Sequence, residues 1–131
     1  MSVLTIVGLI VASMAALLHV AFFVLESVLF RLPFGRRVFG VRPEHDSPAL
    51  RLFAVNQGIY NAALALLVLV GLVLTVAVPD ATIGTVMIIA GCSVMVVAGL
   101  ALAVTAPRRT LPIALAQGGL PLVAIVALVA G

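Results

Sequence analysis

The sequence predicts an all-α protein, an integral membrane four-helix transmembrane bundle. Of its 131 residues, 65% are apolar and only 8% are charged, whereas soluble domains have roughly 25% charged residues. The apolar residues fall into four runs, and each run reaches the length of about 20 helical residues that crosses a hydrocarbon layer of roughly 30 Å. We therefore expect residues 1–131 to form a single transmembrane domain.

The four predicted spans cover about residues 3–30, 48–78, 81–105 and 111–130, and a loop at 31–47 joins the first two. The first run lacks a basic segment before it and is longer than the apolar core of a secretory signal, so we interpret it as a permanent helix.

Local signals within the spans support these limits. Ser47-Pro48 predicts the start of the second span, because the hydroxyl can cap free amides and proline suits the first helical position. In the third span, Gly84, Gly91 and Ala98 recur every seven residues, which predicts close packing against another helix or a second copy. In the fourth span, Pro121 removes the helical hydrogen bond to the carbonyl of Gln117 and predicts a kink there.

The basic residues are concentrated in two loops. All seven are arginines; five lie from Arg31 to Arg51, and the others are Arg108 and Arg109. The positive-inside rule places both loops in the cytoplasm, and both termini and the Pro79-Asp80 turn outside. We expect a multi-pass protein of a bacterial inner (plasma) membrane, whose partner is the lipid bilayer and not a nucleic acid.

The loop at 31–47 contains two prolines and two glycines, so it cannot be one straight helix. Phenylalanine and valine alternate with arginine along it, which predicts an interfacial segment with rings toward lipid and guanidinium groups toward phosphate. The alternative is that the loop closes over a cavity between the helices.

No cofactor or metal site is expected. The adjacent residues Glu44, His45 and Asp46 resemble part of a metal site, but three consecutive side chains cannot converge on one ion in a regular geometry. Cys92 is the only cysteine, which excludes an intrachain disulfide and a cysteine metal cage.

Polar side chains within the spans define the candidate site, because such groups are expensive in hydrocarbon unless they meet one another or line a wet cavity. The candidates for ligand binding or proton handling are His19, Glu26, Asn56, Gln57, Tyr60, Asn61 and Gln117. His19 and Glu26 lie two turns apart on one predicted helix face. The structural alternatives are an imidazole bonded to a neighbouring helix for His19 and a carboxylate reaching interfacial arginines for Glu26.

Depth, counted from the nearest arginine, places these groups in the cytoplasmic half of the membrane. At about 1.5 Å per residue, the depths are about 7 to 8 Å for Glu26 and Asn56, 12 Å for Gln117, 14 to 15 Å for Tyr60 and Asn61, and 18 Å for His19. We expect a polar pocket among the first, second and fourth spans, open toward the cytoplasm or covered by the loop at 31–47. Glu26 should lie within reach of Asn56 or Gln57, directly or through one water.

Three segments carry a resemblance to a known family. They are His19 through Glu26, Gly-Arg-Arg-Val-Phe-Gly at 35–40 and Asn-Gln-Gly-Ile-Tyr-Asn at 56–61. The sequence resembles a bacterial family of small four-helix integral membrane proteins catalogued as a domain of unknown function, number 1304. The resemblance implies the four-helix fold and marks the candidates on the first two spans as signature residues, but it implies no activity.

Three functions follow from these observations, and we favour the first. It is the binding or transport of a small amphipathic or cationic molecule, with Glu26 as its charge partner. Four helices and a first-span glutamate are similar to the small multidrug exporters, but the absence of tryptophan and the fixed charge asymmetry argue against membership. The second is a structural subunit of a homo-oligomer or larger membrane complex.

The third function is a membrane enzyme in which His19 or Glu26 moves a proton. No nucleophile, phosphate-binding loop or closed metal set is recognisable in the sequence, so the reaction class stays open.

Overall fold

The computed structural model describes residues 1–131 and confirms the all-α class. Its helices are α1 (Val3–Phe23), α2 (Pro33–Val38), α3 (Pro48–Ala77), α4 (Thr82–Thr105) and α5 (Leu111–Ala130). Four helical segments are long and apolar enough to cross a membrane: Val3–Arg31, Pro48–Ala77, Thr82–Thr105 and Arg108–Ala130. The protein is therefore a membrane protein with four helices of spanning length.

The chain divides into two compact units. The first, which we call the bundle unit, comprises Met1–Leu18 and Leu64–Gly131, and the second, the polar unit, comprises His19–Ala63. The bundle unit contains parts of all four long helices, whereas the polar unit contains the end of the first span, the connecting loop and the start of α3.

The core of the bundle unit is built largely from small side chains. Its buried residues are Leu9, Ala12, Ala15, Ala16, Val68, Ile88, Cys92, Met95, Ala124 and Leu128. All four long helices contribute to this core. Small residues let helix backbones approach closely and so increase van der Waals contact between them. This contact matters in a bilayer, because lipid is as apolar as the side chains and no hydrophobic effect drives the helices together.

Glycines set the closest helix contacts of the bundle unit, as the seven-residue spacing predicts. A Cβ added at Gly84 of α4 would lie 2.5 Å from the backbone nitrogen of Thr75 on α3. At Gly99 of α4, an added Cβ would lie 2.6 Å from the backbone nitrogen of Gly118 on α5. The glycines of α4 thus pack against two helices of the same chain.

Three hydroxyl groups of the bundle unit bond to carbonyls of their own helices. The Oγ of Ser13 donates to the carbonyl of Leu9 at 2.8 Å, and the Oγ1 of Thr75 donates to the carbonyl of Gly71 at 2.8 Å. The Oγ of Ser93 donates to the carbonyl of Ile89 in the same way, at 2.7 Å. These side chains need no partner from another helix.

The two ends of the chain lie at one end of the bundle unit. A Cβ added at Gly131 would lie 2.7 Å from the Oγ of Ser2 and 2.7 Å from the backbone nitrogen of Thr5. The turn between α3 and α4 is closed by Asp80, whose Oδ1 accepts a hydrogen bond from the backbone nitrogen of Thr82 at 2.9 Å. Hydrogen bonds from Thr82 lower the pKa of Asp80 below its ordinary value.

Candidate functional site

The first span loses regular α-helical geometry within the polar unit. After Phe23 the chain forms a π-helical turn over Val24–Val28 and a 3-10 turn over Leu29–Arg31. The backbone nitrogen of Leu29 donates to the carbonyl of Val24, which closes the wide turn. Glu26 lies in the middle of this turn, and single π-helical turns occur frequently at functional sites.

Arg36 closes the end of the first span. Its Nη1 donates to the carbonyl oxygens of Phe30 at 3.1 Å and Arg31 at 2.7 Å. Its Nε lies 3.3 Å from the Oδ2 of Asp46. The Nη2 of Arg51 lies 2.6 Å from the same oxygen. The sequence predicted that loop arginines face lipid phosphate, but Arg36 is used inside the protein, with a side chain only 17% exposed.

Asp46 is the centre of this loop network. Arg51 binds it in a bidentate manner, from Nε to Oδ1 at 2.8 Å and from Nη2 to Oδ2 at 2.6 Å. These hydrogen bonds, together with the positive charge of Arg36, hold the pKa of Asp46 below its ordinary value. The start of α3 is capped beside it, because Ser47 Oγ accepts a hydrogen bond from the backbone nitrogen of Leu50 at 3.2 Å.

Gly35 and Gly40, the two ends of the segment at 35–40, are required for different structural reasons. A Cβ at Gly35 would overlap the carbonyl of Leu29 and lie 2.8 Å from the backbone nitrogen of Phe30. Gly40 has a φ of 67°, a conformation that favours glycine. Both positions allow the loop to turn back on the end of the first span.

Glu26 makes its hydrogen bond to the second long helix. The Nδ2 of Asn61 on α3 donates to the Oε2 of Glu26 at 2.7 Å. Beside it, the Oγ of Ser27 donates to the carbonyl of Val55 at 3.2 Å. A Cβ added at Gly58 would overlap the Oγ of Ser27 and lie 3.1 Å from its backbone nitrogen, so this glycine makes room for the π-helical turn.

Glu26 bonds to a polar side chain of α3, but the donor of this hydrogen bond is Asn61 and not Asn56 or Gln57. Gln57 lines the same groove as Glu26. Ser27 bonds to the carbonyl of Val55 and lies against Gly58, so the two segments meet at nearly the predicted level. The difference lies in which side chain of α3 turns toward Glu26.

An open groove runs beside this contact within the polar unit. It has a volume of about 240 Å³ and is lined by Glu26, Phe30, Phe39, Val41, Leu50, Phe53, Ala54 and Gln57. The sequence predicted a polar lining, but most of these side chains are apolar. The loop residues Phe39 and Val41, which were predicted to face lipid, line the groove and support the alternative that the loop closes over a cavity.

The remaining candidates lie elsewhere. His19 is fully buried, and its ring meets Phe22 edge to face at 5.7 Å. Asn56 and Tyr60 are exposed, Tyr60 to 57%. Gln117 is partly buried in the bundle unit. Of the seven candidates, only Glu26 and Gln57 line the groove, and Asn61 is bonded to Glu26.

Similarity to known proteins covers nearly the whole chain. A family model described as protein of unknown function, DUF1304, matches residues 13–129. The chain belongs to the DUF1304 family. No curated protein and no solved structure matches it. All seven candidate residues and the whole groove fall within the matched DUF1304 region, but the family description assigns no activity, so the chemistry has to be argued from the side chains.

The groove of this DUF1304 protein offers few reactive groups. Its surface is almost wholly apolar and includes the rings of Phe30, Phe39 and Phe53, whereas Glu26 and Gln57 present almost no polar surface to it. No group of three or more histidine, cysteine, aspartate or glutamate side chains is placed to hold a metal ion. Glu26 is the only charged residue among those that line the groove.

Proposed function

We propose that the protein binds a small amphipathic cation in the groove, with Glu26 as the counter-charge. The observation that carries the proposal is that Glu26, the only acidic residue within the four spans, has no cationic partner in the chain. The salt bridges of the protein involve Asp46 and Glu44. A carboxylate beside apolar walls is costly unless it is paired.

The geometry leaves the carboxylate able to accept a ligand. Asn61 occupies Oε2, and a carboxylate offers about four lone-pair sites in total. A donor that reaches the carboxylate can therefore bind Glu26 without displacing Asn61. Phenylalanine faces attract cations within about 6 Å, with a contribution that grows when the cation is desolvated.

The direction in which the groove faces follows from charge. We propose that the polar unit lies on the cytoplasmic side of a bacterial inner membrane and that both termini lie outside, because short arginine-rich loops stay in the cytoplasm. An impermeant thiol reagent should label Pro79→Cys in intact cells and should leave Pro43→Cys unlabelled. Both positions are exposed, and Cys92 is buried. The reverse labelling would overturn the orientation.

The binding proposal is tested by separating charge from shape. Benzyltrimethylammonium and neopentylbenzene have nearly the same shape, but only the first is a cation. The protein is placed in nanodiscs made of lipid without net charge. We expect the cation to bind at least about tenfold more tightly than the neutral compound, which is a difference of about 1.4 kcal/mol in binding free energy. Equal binding of the two, or no binding of the cation, would overturn the proposal and favour a structural subunit.

A further inference from the structure

The exposed face of α3 carries an unbroken row of residues that repeats every seven positions, with alternating steps of four and three. We call this row the α3 seam. Its members, all of them exposed, are Leu52, Asn56, Ile59, Ala63, Leu66, Val70 and Val73. The seam follows one continuous helix for about 32 Å, at about 1.5 Å per residue. A seven-residue repeat is the spacing that keeps one face of a helix against a second helix in a left-handed pair.

Asn56 is the residue of the seam that lipid suits least. Its amide is exposed and forms no hydrogen bond within the chain. The exposed hydroxyls of α4 differ, because Ser93 donates to the carbonyl of Ile89 and Thr105 donates to the carbonyl of Ala101. Asn56 lies in a helix of spanning length. An amide on such a helix is stabilised when it bonds to a polar side chain of another helix.

A second copy of the chain offers Asn56 a matching group. Two copies with the same orientation in a membrane have parallel α3 helices, and a two-fold axis along the membrane normal places each seam residue beside its own counterpart. An asparagine amide both donates and accepts hydrogen bonds, so two Asn56 side chains can bond to each other. In parallel helix pairs, a single asparagine within an apolar seam fixes the register and the number of helices.

We propose that the protein forms a parallel homodimer in which the α3 seams of two copies pack together and the two Asn56 side chains bond to each other. Ala63, two turns further along the seam, has a small side chain that lets the two helices approach closely. The dimer is independent of ligand binding in the groove, because no residue of the α3 seam lines the groove.

Disulfide trapping in membranes tests the seam directly. Ala63→Cys places a thiol on the seam, and the matched control Ala101→Cys places one at an exposed alanine of α4. The wild type is the blank, because its one cysteine, Cys92, is buried. On oxidation, Ala63→Cys should become largely a covalent dimer and Ala101→Cys should stay monomeric, because a disulfide requires Cα atoms within roughly 7 Å of each other. Equal trapping in the two variants would indicate chance collision and overturn the proposal.

The bond between the two Asn56 side chains is tested with a pair of exposed amides. Asn56→Leu removes the amide of the seam, and Gln57→Leu removes the neighbouring amide, which lines the groove. Energy transfer between two dye-labelled populations of the full-length protein measures the dimer fraction as lipid is added. We expect Asn56→Leu to dissociate at about tenfold less lipid than the wild type, and Gln57→Leu to differ by less than about threefold.

Two results would contradict the proposal. Equal dissociation of Asn56→Leu and Gln57→Leu would show that the Asn56 side chains do not bond across the seam. Wild-type chains that stay monomeric at every ratio of lipid to protein would overturn the dimer, and the α3 seam would then face lipid or a different protein.

Discussion

The bundle unit and the polar unit of this DUF1304 protein treat polar atoms in opposite ways. In the bundle unit the hydroxyls of Ser13, Thr75 and Ser93 return to carbonyls of their own helices. In the polar unit Asn61 and Ser27 form hydrogen bonds between the first span and α3. Arg36 bonds to the end of the first span and forms a salt bridge with Asp46 of the loop. The bundle unit is thus held by regular helices with glycine contacts, whereas the polar unit, which contains the candidate site, is held by side-chain networks around an irregular turn.

The largest effect is expected from a change at the closest contact of the bundle unit. Gly84→Leu places a side chain against the backbone of Thr75, at 2.5 Å from its nitrogen, and backbone cannot move aside as a side chain can. We expect a loss of about 3 kcal/mol or more in the free energy of unfolding, at the upper end of overpacking effects. Thermal unfolding in detergent measures it.

The matched control is Ala90→Leu on the same helix. Ala90 is exposed, so a larger apolar side chain there should leave the unfolding temperature nearly unchanged. Similar losses in the two variants would mean that α4 does not pack through its glycines.

A smaller effect is expected at the corresponding glycine of the polar unit. Gly58→Ala directs a methyl group at the Oγ of Ser27. The Ser27 side chain can rotate away from the methyl group, but it then loses its hydrogen bond to the carbonyl of Val55. We expect a loss of about 1 kcal/mol.

Ser27→Ala in the Gly58→Ala background removes the overlapping atom, so the two losses should not add. A double-mutant cycle measures the coupling between these sites. Strictly additive losses would show that the two residues do not meet.

The smallest effect is expected from the loop network and depends on pH. The pKa of Asp46 is lowered in the folded protein, so its contribution is present above the ordinary aspartate pKa of about 3.9 and is lost as pH falls through the lower value. Asp46→Asn should lower the unfolding temperature by a few degrees at pH 7 and by less at pH 3. Glu44→Asn is the control, because Glu44 is exposed and has only a contact of 3.8 Å to Arg42. An Asp46→Asn effect that is as large at pH 3 as at pH 7 would contradict the ionic network.

The sequence predicted the scaffold better than the site. Apolar runs and glycine spacing are local features, and they predicted the helix class and the close contacts at Gly84 and Gly91, where an added Cβ would lie 2.7 Å from Val68. The partner of Glu26 depended on which side chains of α3 contact the irregular turn at Val24–Val28. No periodic pattern reveals those contacts.

The aromatic lining was also missed for a physical reason. Phe39 alternates with arginines in the loop, and alternation indicates only that two faces differ, not which face meets lipid. The π-helical turn at Val24–Val28 has no sequence signal that we recognised. Proline and glycine in the loop did predict that it bends, and Gly40, with its positive φ, lies at one such bend.

The central claim is that Glu26 binds a ligand and is not needed to hold the helices together. Glu26→Gln keeps a side-chain oxygen that can accept the hydrogen bond from Asn61, so its unfolding temperature should stay within a few degrees of the wild type. On the same samples, the affinity for benzyltrimethylammonium should fall at least about tenfold, while Glu44→Gln, which removes the same charge from the exposed loop, should leave it unchanged. An unchanged affinity in Glu26→Gln together with a large loss of stability would contradict the claim and assign Glu26 to packing.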